Sequence, residues 1–329
     1  MHGRPEDLPT DLAPDMSALL QRVLAEDGPQ PDPTLLPASG GRAAAAKGNE
    51  RWNIDLPAMA DVREYYIPAN VEVGSAECRT RVLVPKDRIR GNLLFVHGGG
   101  FAFCSPETHE RCVRVLAVET GMAVAVPDYR LAPEHPYPAG LMDVVAVLRA
   151  LTSDPSSLGL ETGALLVSGD SAGANLALAA MIHEQHSGRK LPEGALLFYG
   201  VYSGDNTSAS HVRFAEGPGL TTDKMKRYWD WYVPRAEDRC NPLASPLKAS
   251  DAELRALPPL WLQAAGVDPL LSDTLALGQR LRELGRDDSV SVIPGVVHGF
   301  LQMTVSLKAA RDALTAAGAA ARKLAQTNG

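Results

Sequence analysis

The sequence predicts an α/β fold, a mostly parallel central sheet covered by helices on both faces. Three observations carry that expectation. Short apolar or β-branched runs recur from about residue 77 onward, and stretches long enough for a crossover helix lie between most of them. A chain of 329 residues also suffices for one large domain with a substantial core, yet is short for two.

The runs read, in order, "CRTRVLVP", "NLLFVHG", "MAVAVPDY", "ALLVSG", "ALLFYGVY", "PLWLQAAG" and "SVSVIPG". The helical stretches between them include "ERCVRVLAVE", "AGLMDVVAVLRAL", "ANLALAAMIHEQ" and "TLALGQRLRELG". Ahead of these lies a segment, residues 1–60, with Pro29, Pro31, Pro33 and Pro37 close together, in which Met16, Leu19, Leu20, Val23 and Leu24 recur at helical spacing. An amphipathic helix followed by a wandering segment is expected there. An insertion breaks the rhythm at about 204–256. Within it, "TTDKMKRYWDWYVP" offers Thr221 or Thr222 as an N-cap and sets Met225, Tyr228, Trp229 and Tyr232 along one helical face. That stripe is expected to pack on the body, and this helix and the N-terminal one together to form a lid over a pocket. The chain then divides into an N-terminal cap segment, 1–60, and a main domain, 61–329, with a cap insertion.

Composition narrows the function. Hydrophobic residues make up 45% and charged residues 22%, with a formal charge of -7, which fits neither a disordered nor a fibrous chain. No dense Lys/Arg stripe is present to neutralise a phosphate backbone, so no nucleic-acid partner is expected. The start, "MHGRPEDLPTDLAPDM", lacks the basic and apolar regions of a secretory signal, and no stretch reads as a bilayer span, so a cytoplasmic protein without membrane insertion is expected. Cys78, Cys104, Cys112 and Cys240 form no CxxC pair and read as free thiols. "HEQH" at 183–186 is not a zinc-binding HExxH; a polar helix end accounts for it, and no metal or cofactor is expected.

"VSGDSAGANLA", residues 167–177, carries the chemistry. A GxSxG segment between a buried strand and a helix needs small residues two before and two after the serine, because the turn is too tight for side chains there. Gly169 and Gly173 meet that need, which makes Ser171 a candidate nucleophile; plain helix capping is the alternative. A serine hydroxyl needs a base to take its proton and an acid to orient that base. On this kind of sheet the partners follow in the order serine, acid, histidine, each just past the end of a later strand. Asp268 follows "PLWLQAAG" and His298 follows "SVSVIPG". The rivals lack that position: His183, His186 and His211 fall in helical or inserted segments, His135 in a proline-rich loop, and His2 and His109 have no strand before them. Asp273 reads as the start of a helix, and Asp170, beside the serine, takes a structural or pocket role. "HGGGF", from His97, follows a strand and offers backbone N–H groups unobstructed by side chains to a developing oxyanion; Ala172 offers another.

Taken together, "HGGGF", "DYRLAPEHPYPA", "GDSAGANLA", "DPLLSD" and "HGF" strongly resemble the bacterial hormone-sensitive-lipase-like esterases, or family IV carboxylesterases, over roughly residues 80–310. The resemblance implies an α/β-hydrolase core with a small helical cap, and hydrolysis of short acyl esters through an acyl-serine without a cofactor. It implies Ser171 as nucleophile, His298 as general base and acid, and Asp268 as its orienting carboxylate. It also implies an oxyanion hole from Gly98, Gly99, Gly100 and Ala172, the first glycine often supporting the loop rather than donating. A small-molecule ester is the expected partner; such cores pair through an edge strand or terminal helix, which leaves a homodimer open. A non-catalytic ligand-binding protein and a dehydratase-like lyase are the alternative functions on the same fold. Trp52, Phe103, Tyr199, Tyr202, Met225, Tyr228 and Trp229 are the candidate pocket walls.

Overall fold

Residue-by-residue alternation gives the sheet two apolar faces. The computed structural model describes residues 11–326; His2 lies outside them. Eight strands, β1 (Met59–Ile67), β2 (Cys78–Pro85), β3 (Asn92–Val96), β4 (Ala123–Pro127), β5 (Leu165–Asp170), β6 (Gly194–Phe198), β7 (Leu260–Val267) and β8 (Ser289–Val297), form one sheet in the order β1-β2-β4-β3-β5-β6-β7-β8. From β4 to β8 all pairings are parallel, while β2 joins β4, and β1 joins β2, antiparallel.

In β3, Leu93 and Phe95 point to one face and Leu94 and Val96 to the other; β4 and β6 divide in the same way. Ten helices are described: α1 (Pro14–Asp27), α2 (Ala38–Glu50), α3 (Glu110–Thr120), α4 (Ala139–Ser153), α5 (Ala172–His186), α6 (Ala209–Arg213), α7 (Thr222–Tyr232), α8 (Asp251–Ala256), α9 (Leu271–Glu283) and α10 (Lys308–Gln326). Apolar residues of α4, α5 and α9 cover the Leu94 face, and those of α1, α3 and α10 cover the Phe95 face. Both faces are dry, which is why the inner strands read as continuous apolar runs. Each of the seven expected runs is a strand.

Two elements were not legible in the sequence. β1 is an antiparallel edge strand in which only Ile67 is buried, with little apolar alternation to announce it. The "wandering" segment contains α2, which is rich in alanine and glycine and carries no apolar stripe. The N-terminal amphipathic helix forms as α1, but Met16 and Leu19 bury against the body, and the N–H of Ala13 donates to the carbonyl of Gly295 at 2.9 Å beside β8. It therefore lies away from the pocket described below, and the expectation that α1 helps to close that pocket is corrected. Asn49 of α2 and Trp52 of the turn after it line that pocket instead.

Helix α7 forms as expected, with Met225, Tyr228, Trp229 and Tyr232 buried. Thr221 is its cap, accepting from the N–H of Lys224 at 3.2 Å, while Thr222 turns its hydroxyl to the carbonyl of His211 at 2.7 Å. Thr221→Ala is expected to cost about 1 kcal/mol, read from the urea midpoint at constant m-value. Among the described residues no helix is long and apolar enough to cross a membrane.

Candidate active site

The three chemically interesting side chains each stand one residue past a strand end: Ser171 after β5, Asp268 after β7 and His298 after β8. Parallel strands end on the same edge, so residues 127 apart in the chain meet there. Ser171 Oγ lies 2.9 Å from His298 Nε2, and His298 Nδ1 lies 2.7 Å from Asp268 Oδ2. Asp268 is wholly buried, and its other oxygen accepts the N–H of Leu270 at 2.9 Å, which fixes the carboxylate's direction. Although Ser171 precedes α5, its side chain makes no capping bond. Plain helix capping therefore does not explain it.

The turn that presents Ser171 is strained and tightly packed. Its φ is 54°, in the left-handed region that side-chain-bearing residues seldom occupy. A Cβ on Gly173 would lie 1.9 Å from the Val96 carbonyl oxygen, and one on Gly169 would lie 2.6 Å from Gly173 itself. Backbone is pressed on backbone, so only glycine fits.

The glycine-rich loop after β3 is built in two parts. Gly98 is a correction to the expected oxyanion set, because its N–H is already spent on Asp170 Oδ1 at 2.8 Å. Among the described residues the N–H groups of Gly99, Gly100 and Ala172 have no acceptor, and Gly99 and Gly100 line the same cavity as Ser171. Gly100 has φ 59°, and a Cβ there would strike the Tyr228 ring at 2.4 Å. The loop thus has one supporting amide and two unspent ones.

Asp170, expected to take a structural or pocket role, and His109 anchor this loop. Asp170 Oδ1 also lies 3.2 Å from His109 Nε2, and the Tyr199 hydroxyl donates to Oδ2 at 3.4 Å. Burial opposes its charge, but the adjacent His109 ring and the Gly98 N–H outweigh burial and hold its carboxyl below the usual carboxylate range. Burial, reinforced by nearby His109, drives the His97 ring down to about 3 and so keeps it neutral. Its Nδ1–H donates to the Gly98 carbonyl at 2.8 Å, and its ring stacks on Tyr129 at 4.4 Å. The Tyr129 hydroxyl in turn donates to the carbonyl of His97 at 2.8 Å. The role of "DYRLAPEHPYPA" is therefore mechanical: it clamps the glycine loop from below, and Ala132 N–H adds a bond to the Phe101 carbonyl at 2.9 Å.

The other candidates have other work. His183 and His186 pair with Glu184 and Glu253, and His211 is buried with its ring 3.1 Å from Thr222 Oγ1. Asp273 lies in the first turn of α9, where its Oδ2 accepts the N–H groups of Tyr202 and Ser203 at 2.7 and 2.9 Å. Burial pushes its carboxyl up to about 7 despite those bonds. Between pH ~4 and ~7 the folded state then holds a proton that the unfolded chain releases, so this group's contribution to stability falls as pH rises through that window. Asp273→Asn keeps an acceptor oxygen and removes the titration. Urea midpoints are expected to favour the variant progressively from pH 5 to pH 8; a gap independent of pH would refute the assignment.

A cavity of about 210 Å³ opens over Ser171. Of the candidate walls, Trp52, Met225 and Tyr228 line it. Phe103 packs edge-on behind Tyr228, Trp229 and Tyr202 are core, and Tyr199 lies beneath the His298 ring, 4.9 Å away and edge-on. Asn49 and Gln302 are polar walls that the sequence did not single out. No pattern marks them, since one ends an unforeseen helix and the other lies in a short turn.

Residues 93–302 match a family model described as the α/β-hydrolase fold. This chain belongs to the α/β-hydrolase family. Within it, the chain sits among the hormone-sensitive-lipase-like esterases. It is 35% identical over 242 residues to carboxylesterase NlhH of Mycobacterium tuberculosis, covering 72% of this chain and 75% of that one. It is 31% identical over 265 residues to an acetyl esterase of Salmonella paratyphi A, covering 80% of each. A thermostable esterase from Pseudomonas putida superposes with a TM-score of 0.89 at 27% identity, over 97% of this chain and 99% of that structure. As an α/β-hydrolase of this branch, the chain is a carboxylic ester hydrolase.

Proposed function

We propose that this α/β-hydrolase cleaves short acyl esters through an acyl-serine intermediate. Ser171 Oγ attacks the ester carbonyl carbon while His298 Nε2 takes its proton, and Asp268 holds the imidazole by its Nδ1–H and stabilises the imidazolium that forms. Collapse of the tetrahedral adduct breaks the bond to the alcohol oxygen, which receives the proton from His298. Water then repeats the sequence on the acyl-serine, releasing the acid and restoring Ser171. The unspent N–H groups of Gly99, Gly100 and Ala172 serve the oxyanion in both halves.

The single observation that carries this reading is the unbroken line from Ser171 Oγ through the His298 ring to Asp268 Oδ2, at 2.9 and 2.7 Å. The cavity, about 210 Å³, is smaller than the ~300–1,000 Å³ usual for drug-sized ligands, which favours short chains. The similarity to a protein named acetyl esterase points the same way. A cap made from α2 with the turn after it and from the insertion at 204–256 belongs to the same proposal. Asn49 and Trp52 from the first and Leu220, Met225 and Tyr228 from the second line one cavity, and Arg227 of α7 pairs at 2.6 Å with Asp32, just ahead of α2.

A fluorophosphonate probe, which esterifies an activated serine, separates the enzyme from a non-catalytic binder or a lyase. Labelling is expected at Ser171 and at no other serine, abolished in Ser171→Ala. Equal labelling of the variant would overturn the assignment.

A further inference from the structure

The glycine loop is strained beyond its glycines. Phe101 and Cys104 hold φ of 62° and 71°, in the left-handed region that side chains disfavour, directly after Gly99 at 118° and Gly100 at 59°. Such a conformation persists only where the surroundings hold it in place. One hold is the bond from the Ala132 N–H to the Phe101 carbonyl. The other comes from α2, 60 residues earlier in the chain, where Arg42 Nε donates to the carbonyl of Ala102 and Arg42 Nη2 to that of Ala132, both at 2.9 Å. Ala102 and Ala132 are buried, and among the described residues no other donor reaches either carbonyl. Glu134 fixes the direction of the guanidinium by accepting from both of its terminal nitrogens. An arginine that served only to fasten the helix could take surface carboxylates alone, as Arg51 does with Glu26 and Asp27. Arg42 spends its planar fork on two buried carbonyls as well.

We propose that Arg42 is a positioning residue for the hydrolysis, aiming the Gly100 N–H at the oxyanion through a relay of two peptide groups. The inference rests on the esterase reading of Ser171. The Ala102 carbonyl that Arg42 holds shares one planar peptide with the Phe103 N–H, which donates to the Gly99 carbonyl at 2.9 Å. That carbonyl shares the next planar peptide with the Gly100 N–H, one of the unspent donors beside Ser171. In each unit the C=O and the N–H point in opposite directions, so a donor fixed at one end aims the N–H at the other. The positive charge of Arg42 also polarises both peptides in the sense that strengthens the last donor. On the far side, the Phe103 ring packs on Tyr228 of α7 and on α2 at Gly41, where an added Cβ would lie 2.8 Å from it. Helix α2 therefore contributes to the chemical step as well as to the cavity wall.

The test is hydrolysis of p-nitrophenyl acetate by Arg42→Met, which keeps an unbranched side chain and removes its donors, with active enzyme counted by fluorophosphonate titration. Turnover per active site is expected to fall about 10- to 100-fold with KM within about threefold, short of the ~10²–10³ for outright loss of an oxyanion donor. Butylboronic acid, which becomes a tetrahedral anion when Ser171 Oγ adds to boron, should lose affinity by the same factor as kcat, because both report on the developing anion. A defect of stability alone lowers the amount of active enzyme and moves neither quantity. Arg42→Lys, which keeps the charge and loses the fork, should show a loss of about three- to tenfold in both, and it carries the comparison should Arg42→Met not fold. Unchanged kcat in either folded variant overturns the inference, as does a rise in KM at constant kcat or a fall in kcat without one in boronate affinity. Absence of Ser171-dependent hydrolysis in the wild type would overturn the esterase reading and this inference with it.

Discussion

Ser171→Ala is expected to lower turnover of p-nitrophenyl acetate by about 10⁴ or more, with the urea midpoint within about 0.5 kcal/mol of wild type. The substitution removes one oxygen, the atom 2.9 Å from His298 Nε2, and leaves the bond from the residue-171 N–H to the Phe198 carbonyl in place. Alanine meets the same φ of 54° as serine, so the strain of the turn is not altered. Residual rate above that of water should persist, because the amides of Gly99, Gly100 and Ala172 can still polarise a bound carbonyl. Because nucleophile and base act as a unit, adding His298→Ala to Ser171→Ala should cost little more. A single variant retaining near wild-type turnover would show that another group attacks the ester.

Gly173→Ala is expected to destabilise the fold by about 3 kcal/mol or more and to abolish hydrolysis at the same time. The added methyl would sit 1.9 Å from the Val96 carbonyl oxygen and 2.6 Å from that of His97, neither of which can rotate away as a side-chain tip could. Relief requires the start of α5 to retreat from β3, which carries Ser171 away from the glycine loop. Gly48→Ala is the control. It lies inside α2 with nothing within 4 Å of its added Cβ, and alanine there should raise stability by about 0.5–1 kcal/mol. Urea denaturation of both variants decides the matter; an unchanged midpoint for Gly173→Ala would contradict the backbone contact at this turn.

The two substitutions probe different properties of one five-residue segment. Ser171→Ala removes chemistry and should leave the packing alone; Gly173→Ala does the reverse and loses chemistry as a consequence. Asp170 shows how closely the two are joined. It belongs to the same segment, and its carboxylate holds Gly98 at 2.8 Å, so the turn that presents Ser171 also holds the loop that faces it.

By itself the sequence determined the order of the strands from β2 to β8, the two-faced sheet, and the three side chains that meet at its edge. Buried parallel strands must be continuously apolar, crossovers must be helical, and a tight turn must have glycine on either side of its serine; each of these constraints leaves a local pattern. Only tertiary structure decided the rest. β1 and α2 carry no apolar periodicity, because one lies at an exposed edge and the other packs through small residues. Gly98 looks the same as Gly99 and Gly100 in sequence, and what separates it is an acceptor 72 residues away. α1 and α7 are both amphipathic, yet one lies against the body near β8 and the other lines the cavity, because an apolar stripe states that a face is buried and not what buries it.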